Sequence, residues 1–567
     1  MRQLSKRLMR LAALGVAVML TGCGAGQPMG AGGAGDTGAA GAEAGEIGSQ
    51  TEVPAEKQDT SAPAEGLLRI AVDEEQETMD IDRTSGDYAV PLNVYDRLFE
   101  VQQNLDGSTE LIPSLVKEYS LSEDGRTYHF TLRDDVLFSD GSKLTARDVA
   151  FSFSRMLQPE SSQTDFADAI LGAEAVMSGE VETPEGIRVI NDTQIEITLK
   201  APFAGYLPQL ATPSCSILCE KSVREGGDAF GTDPAYSIGS GPYIVTEWRP
   251  DFMRFVANPY YWGEAPSAKE VEARVIPPVM MHRAFQNREL DILDGQLINR
   301  KLLEKDYTRG RYRNRIVRKS NVELRCLILN NEFEPLDNVK VRKAIQMAID
   351  REKILKTVYG GGGTIMDGIF PKGLIGYTKD NQGWLQYDPE QAKKLLADAG
   401  YADGFSLEVA ANVEESVADK TVLHMISQDL EEIGIRVSIV NYDESPRNYL
   451  RKRGLIMCYL ARWVADDNDP DNFLYTFFGS RENSVYRSVN YGDESLFQRV
   501  VDARSIVQEE KRLAEYAAIE KKLFQDEAVW VPLYSCYHDY VIGERVSSFT
   551  PYWAGWHSII YKDVVLK

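Results

Sequence analysis

Ile112 to Leu157 reads IPSLVKEYSLSEDGRTYHFTLRDDVLFSDGSKLTARDVAFSFSRML, and the fold is decided in this stretch. Tyr119 and Leu121 on one arm, and Tyr128, Phe130 and Leu132 on the other, alternate with polar residues, and Asp124-Gly125 between the arms has turn chemistry. The pattern predicts a hairpin with its apolar groups on one face. After a second turn at Asp140-Gly141, Thr145 reads as an N-cap. Asp148, three residues on, makes an imperfect capping box ahead of Val149, Phe151, Phe153 and Met156. A helix is expected to start there.

Other segments widen the pattern to mixed α/β. From Asp388 to Gly400, DPEQAKKLLADAG supplies an N-cap, Pro389 at the first helical position, an apolar stripe of Ala392, Leu395, Leu396 and Ala399, and a glycine stop. An alternating strand through Phe405, Leu407 and Val409 follows, then a helical run carrying Val422, Leu423, Met425, Ile426 and Leu430. A second strand through Ile435, Val437 and Ile439 completes the unit. Strand, helix, strand predicts a crossover and a parallel pair. Ile187 to Leu199 reads as an antiparallel hairpin around Asn191-Asp192.

Arg2, Lys6, Arg7 and Arg10 precede an apolar run from Leu11 to Leu20 that is too short to span a bilayer as a stable helix. This is the layout of a signal peptide, residues 1–22. Leu20-Thr21-Gly22-Cys23 resembles a bacterial lipobox, which would make Cys23 a lipidated N-terminus. One acyl chain holds a protein marginally and two hold it stably, so a diacylated cysteine would serve as an anchor at the outer face of the cell membrane. The rest of 23–66 is rich in small and polar residues, lacks aromatics, and is expected to be a disordered tether spanning on the order of 35 Å.

The full chain of 567 residues carries a formal charge of −24, and loss of the four basic signal residues takes it to about −28. Such a charge disfavours nucleic acid and anionic lipid as partners. Beyond Cys23 there are five cysteines, Cys215, Cys219, Cys326, Cys458 and Cys536, an odd number without metal-binding spacing. Buried thiols are expected, with a Cys215–Cys219 pair left open. No GxSxG, HExxH or Walker A motif occurs, and the run Gly360 to Gly363 lacks the Lys-Ser/Thr that a phosphate loop needs. His129, His282, His424, His538 and His557 are scattered. The chain is expected to be a non-enzymatic receptor without a cofactor.

The block from Ile112 to Leu157 resembles the signature of the family 5 extracytoplasmic solute-binding proteins of ABC importers, which include the oligopeptide- and dipeptide-binding proteins. Further matches follow in the family's order: Gly239-Ser240-Gly241-Pro242-Tyr243, Asn258-Pro259-Tyr260-Tyr261-Trp262, Leu290-Asp291-Ile292, and DNVKVRKAIQMAID from Asp337 to Asp350. The resemblance covers about residues 67 to 550. It implies a periplasmic-binding-protein-like, two-lobed clamshell with mixed sheets and an extra inserted subdomain. Lobe I would comprise 67–100, 239–322 and 540–567, the inserted subdomain 101–238, and lobe II 323–539.

The resemblance also places a ligand site. In peptide-binding relatives, an aspartate three residues beyond a tryptophan pairs with the peptide's α-ammonium, and counting from Trp463 puts that role on Asp466. The segment matching Arg462, Trp463 and Val464 hydrogen-bonds the ligand backbone, faced by the segment matching Ser85, Gly86 and Asp87. Two departures stand out: Arg462 replaces a frequent glycine, and Ile81 replaces the proline of the family's L-D-P. Arg462 reaches either a ligand carboxylate or solvent. A calcium loop in DDNDPDN is poorly supported, since counting from Asp467 gives Asn472 for the needed glycine and Phe478 for the needed glutamate. The implied protein is a monomer that hands short peptides to an ABC permease. A nickel complex, haem or oligosaccharide as ligand, a secreted hydrolase, and a surface sensor remain open.

Overall fold

A computed structural model describes residues 65–84, 86, 88–103, 109–309, 312–413, 416–554 and 559–567. The signal peptide, Cys23, most of the tether, Ser85 and Asp87 therefore lie outside the described residues.

The signature stretch folds as its pattern predicts. Val116–Leu121 and Thr127–Leu132 pair antiparallel with Tyr119 opposite Phe130 and Leu121 opposite Tyr128, so the apolar residues share a face. The sheet continues through Gln194–Thr198 to Ile187–Asn191. The helix Ala146–Met156 begins at Thr145, whose side chain accepts from Arg147 N, while Asp148 Oδ2 accepts from Thr145 N at 2.9 Å. Asp is thus long enough to close the box. Phe130, Phe153, Ile195 and Ile197 centre a separate core beneath this sheet. One residue departs from the pattern: Tyr119 is 48% exposed. Tyr119 and Leu121 instead line a cavity.

Two larger sheets organise the rest. In the first, Leu67–Val72 pairs parallel with Glu270–Val275, which continues antiparallel through Phe252–Ala257 to Tyr243–Arg249. In the second, the long strand Val531–Ile542 is the spine. Its first half pairs with Glu323–Leu329 and Gly363–Ile365, and its second half with Ile316–Ser320 and Ile292–Asp294. Cys458–Val464 completes this sheet at its edge, against Glu323–Leu329. The chain therefore passes between the two halves at Asn321–Val322, alongside Ser535–Tyr537. Asn321 N donates to Cys536 O at 3.0 Å, and Ser535 Oγ donates to Asn321 O at 2.7 Å.

The predicted crossover is present. Pro389–Asp398 starts at Asp388, whose side chain accepts from Gln391 N, and it buries Ala392 and Leu396. Phe405–Asn412 and Ile435–Tyr442 pair parallel around the helix Val417–Glu432. All five described cysteines are buried free thiols. Cys215 ends a 3₁₀ turn and Cys219 caps the next helix, so the two do not share a helix and are not bridged.

The remaining family-like motifs are joints. Asp291 accepts from Arg69 N at 2.9 Å and pairs with Arg69 and Arg545, tying the first strand to the C-terminal segment. Arg342, buried within DNVKVRKAIQMAID, donates to the carbonyls of Leu336, Glu527 and Ala528. Gly239 runs so close to Val94 that a Cβ there would sit 2.0 Å from its carbonyl oxygen. Backbone cannot yield as a flexible side chain can. Gly239→Ala is accordingly expected to cost about 1–3 kcal/mol, the usual range for overpacking. The check is a lowered urea midpoint at unchanged m-value.

Candidate functional site

Edge strand Cys458–Val464 carries Arg462, Trp463 and Val464 opposite Arg325, Leu324 and Glu323. Only one side of the strand is in the ladder, which leaves the other as a row where an extended chain can be added. Ala465 N then bonds to Val322 O at 2.9 Å, so the acidic loop that follows starts directly at the strand crossing.

Within this loop Asn472 is the organiser. Its Oδ1 accepts from Trp463 Nε1 at 3.0 Å and from Asp466 N at 3.3 Å, while its Nδ2 donates to Asp466 Oδ2 at 3.0 Å. The structure thereby brings Trp463 and Asp466 together. Trp463 packs edge-on against Phe477, with the Arg487 guanidinium 4.8 Å from its ring centre. Asp466 forms no ion pair among the described residues. Desolvation raises its pKa to about 6, partly offset by the Asn472 hydrogen bond and the charge of Arg487. Its neighbours are engaged differently: Asp469 pairs with Arg512, and Asp471 with Arg504 at 3.0 Å. Asp467 is pushed well above the carboxylate range by burial and by the charges of Asp469, Asp466 and Asp471.

Arg462 donates through Nε to Glu323 Oε2 at 2.7 Å, its side chain about a third exposed. Glu323 is buried. Burial alone would raise its pKa, but Arg462 and Arg325 overcome that and hold it at about 2. Gly86, on the facing segment, is exposed, and its N donates to Thr84 Oγ1 at 3.2 Å. Thr84 O accepts from Ser162 Oγ at 2.8 Å and from the Gln163 side chain. Asp165, two residues on from Gln163, is near enough for its charge to act on Asp466. The segment 162–165 is therefore linked by hydrogen bonds to Thr84 beside Gly86 and by charge to Asp466, and among the described residues no hydrogen bond joins Gly86 to Trp463 or Val464.

Two cavities flank this region. One, of about 770 Å³, lies at the strand crossing and is lined by Arg318, Lys319, Lys372, Tyr377, Tyr537 and Trp553 among others. The second, of about 560 Å³, lies between the hairpin residues Tyr119, Leu121 and Tyr128 on one side and Asn468, Asp469 and Arg512 on the other. Both volumes fall in the range of small-ligand sites. Thr109 and Ile375 line both cavities, and Asn468 spans this neck. It donates to Thr109 Oγ1 at 2.6 Å and accepts from Ile375 N at 3.2 Å. Sequence reasoning missed Asn468, Asn472, Lys319 and Lys372. Asn472 lay inside the quoted acidic loop, but no local signal marks an amide as a bridge, and the lysines are brought in from distant segments. Asp466, Trp463, Val464, Arg462 and Gly86 line neither cavity wall directly. Among the described residues no group of three His, Cys, Asp or Glu is placed to hold a metal ion.

A sequence profile of the bacterial extracellular solute-binding proteins, family 5 (middle region), matches residues 110–485. The chain belongs to that family. It is 30% identical over 452 residues to di/tripeptide-binding protein 2 of Pseudomonas aeruginosa, covering 75% of this chain and 81% of that one. It is 27% identical over 454 residues to heme-binding protein A of Haemophilus influenzae, covering 78% and 81%. In structure it is similar to the periplasmic binding protein DppA from Helicobacter pylori in complex with the peptide STSA. That likeness has a TM-score of 0.70 at 24% identity, over 88% of this chain and 98% of that one. The family 5 fold, two lobes with an inserted subdomain, is thus that of a binding protein, and these relatives are named for what they bind.

Glu323 holds the edge strand Cys458–Val464 to the crossing through Arg462 and Arg325. Because its folded pKa lies below the ordinary 4.5, its contribution of about 3 kcal/mol is complete above that value and is lost as pH falls toward 2. Glu323→Gln should lower stability to urea at pH 7, and the gap from wild type should shrink by about half by pH 3.

Proposed function

We propose that this family 5 protein captures short peptides in the cleft between lobe I (67–100, 239–322 and 540–567) and lobe II (323–539) and delivers them to an ABC permease. The observation that carries this reading is Asp466, a desolvated carboxylate that forms no ion pair among the described residues and is locked to Trp463 by Asn472. A peptide's α-ammonium supplies the missing charge, and Arg462, Trp463 and Val464 supply an open strand edge for its backbone, with Ser85, Gly86 and Asp87 opposite. Recognition through backbone groups suits a receptor for varied sequences, since every peptide carries them. Among the described residues neither cavity is lined by histidine or cysteine, the usual ligands of haem iron or nickel.

Closure of lobe II (323–539) on lobe I (67–100, 239–322 and 540–567) runs through the paired crossing at Asn321–Val322 and Ser535–Tyr537, where few residues need to change their dihedral angles. The protein acts as a monomer, tethered at the outer face of the membrane by lipid on Cys23. Changing Cys23 to Ser should shift the protein from the membrane fraction to the soluble fraction as unprocessed precursor. Unaltered membrane retention would remove the anchor from the reading.

Asp466→Asn tests the ligand assignment. Breaking a buried charge pair costs about 3–5 kcal/mol, roughly a hundredfold to several thousandfold in affinity. Calorimetry should show that loss for a free peptide and little difference between the two proteins for its N-acetylated form. The wild type should also lose affinity about tenfold per pH unit below about 6, because Asp466 must then shed a proton to accept the ammonium. The Asn variant should not. Recovery of the incubated peptides intact separates a receptor from a hydrolase.

A further inference from the structure

We propose that the glycine run 360–363 and the ion pair of Arg300 with Glu304 form a stop behind the hinge, whose fit sets how readily the lobes close and so how tightly ligand is held. The proposal rests on the lobe closure described above and adds residues outside the cleft that tune it.

The spine strand Val531–Ile542 has two edges. One carries the crossing chain, Ile316–Ser320 and Glu323–Leu329. The other is shared by Ile292–Asp294, from lobe I, and Gly363–Ile365, from lobe II. These two segments meet at Tyr537, whose N donates to Gly362 O at 3.0 Å while its O accepts from Gln296 Nε2 at 3.4 Å. A rotation of one lobe against the other must change the gap between them at this point.

Arg300 and Glu304 stand at that gap, on the successive helical turns Arg300–Leu302 and Leu303–Thr308 of lobe I. Gly360 ends the helix Arg351–Tyr359 with a φ of 61°, and a Cβ there would overlap the Glu304 carboxylate. Gly362 is buried, and a Cβ there would lie 2.7 Å from the Arg300 guanidinium. The run that lacks the partners of a phosphate loop thus has a packing role: it lets the backbone of lobe II lie against a charged pair of lobe I. Arg300 has little room to retreat, because it is held between Glu304 Oε1 at 3.4 Å and Asp539 Oδ2, on the spine itself, at 3.6 Å. In a close-packed contact of this kind, added volume is passed on as displacement.

Among the described residues none of 292–304 or 360–365 lines either cavity, whereas 317–320 and Val322, on the opposite edge, line the first. The spine therefore stands between the stop and that cavity. Volume added at the stop spreads the lobes on its own side and brings them together on the cavity side. A larger closed fraction in the free protein lowers the apparent dissociation constant in proportion.

The test compares wild type, Gly362→Leu, Arg300→Ala and the double variant as full chains. Gly362 lies outside the left-handed φ region, so a side chain there is limited by space alone. Its other near neighbour, the Tyr359 carbonyl oxygen at 3.0 Å from the added Cβ, belongs to lobe II and is common to all four proteins. Without ligand, Gly362→Leu should show a smaller radius of gyration by small-angle scattering than wild type. It should also retain about threefold more of a subsaturating degenerate tripeptide library, counted by mass spectrometry. Adding Arg300→Ala should return both readings toward wild type, since contacting residues depart from additivity. Gly362→Ala should move both in the same direction by less, and replaces the leucine variant if that one melts early. Readings equal to wild type, a larger radius, or an effect of leucine that persists without Arg300 would each overturn the stop. So would unfolding of both glycine variants, which would make the run a packing element only. If wild type retains no tripeptide, the peptide reading fails while the scattering still decides this inference.

Discussion

The second sheet of this protein depends on the place where two strands cross side by side between its halves. Val531–Ile542 runs unbroken from one half to the other, and the chain from Ile316 to Leu329 runs back alongside it, interrupted only at Asn321–Val322. The interruption is held by backbone and side-chain hydrogen bonds to Cys536 and Ser535. Such a joint is stiff against sliding, because the ladder fixes register on both sides. It leaves a small number of dihedrals free to absorb rotation. The largest core passes through the same place, from the strands of the first sheet through Val322 and Leu324 to the aromatic group of Phe477, Phe478, Phe524 and Trp530.

The acidic loop and the first cavity are built outward from that joint. Val322 O anchors the start of the acidic loop, Glu323 ties down the edge strand, and Lys319 stands at the wall of the adjoining cavity. Charge is then distributed with purpose along the loop. Asp469 and Asp471 are matched by Arg512 and Arg504 and serve the fold. Asp466 is oriented by an amide and forms no ion pair among the described residues, an arrangement that costs stability.

The signature stretch shows how far local chemistry carries. Hairpin, turn and capped helix were legible because each depends on neighbours a few residues away: alternation for the strands, Asp-Gly for the turn, a side chain reaching its own helix start for the cap. The crossover around Val417–Glu432 was legible for the same reason. Tyr119 shows the limit. Its period placed it on the apolar face correctly, yet that face opens on a cavity, and whether a face meets a core or an empty space depends on segments more than a hundred residues away.

The sequence by itself determined the mixed α/β class, the order of the family's motifs and the position of an acidic loop behind a tryptophan, since all are encoded in short-range spacing. Tertiary structure alone decided which acids of the loop are matched: Asp469 and Asp471 pair with Arg512 and Arg504 from a distant helix pair, while Asp466 and Asp467 form no ion pair among the described residues. It also decided that Asn472 bridges, and that Lys319 and Lys372, 53 positions apart in the chain, line one cavity with no carboxylate in its lining among the described residues. The physical reason is that a charge is defined by what surrounds it in space. Those surroundings are assembled by the strand crossing, which gathers residues that no local pattern in the chain connects.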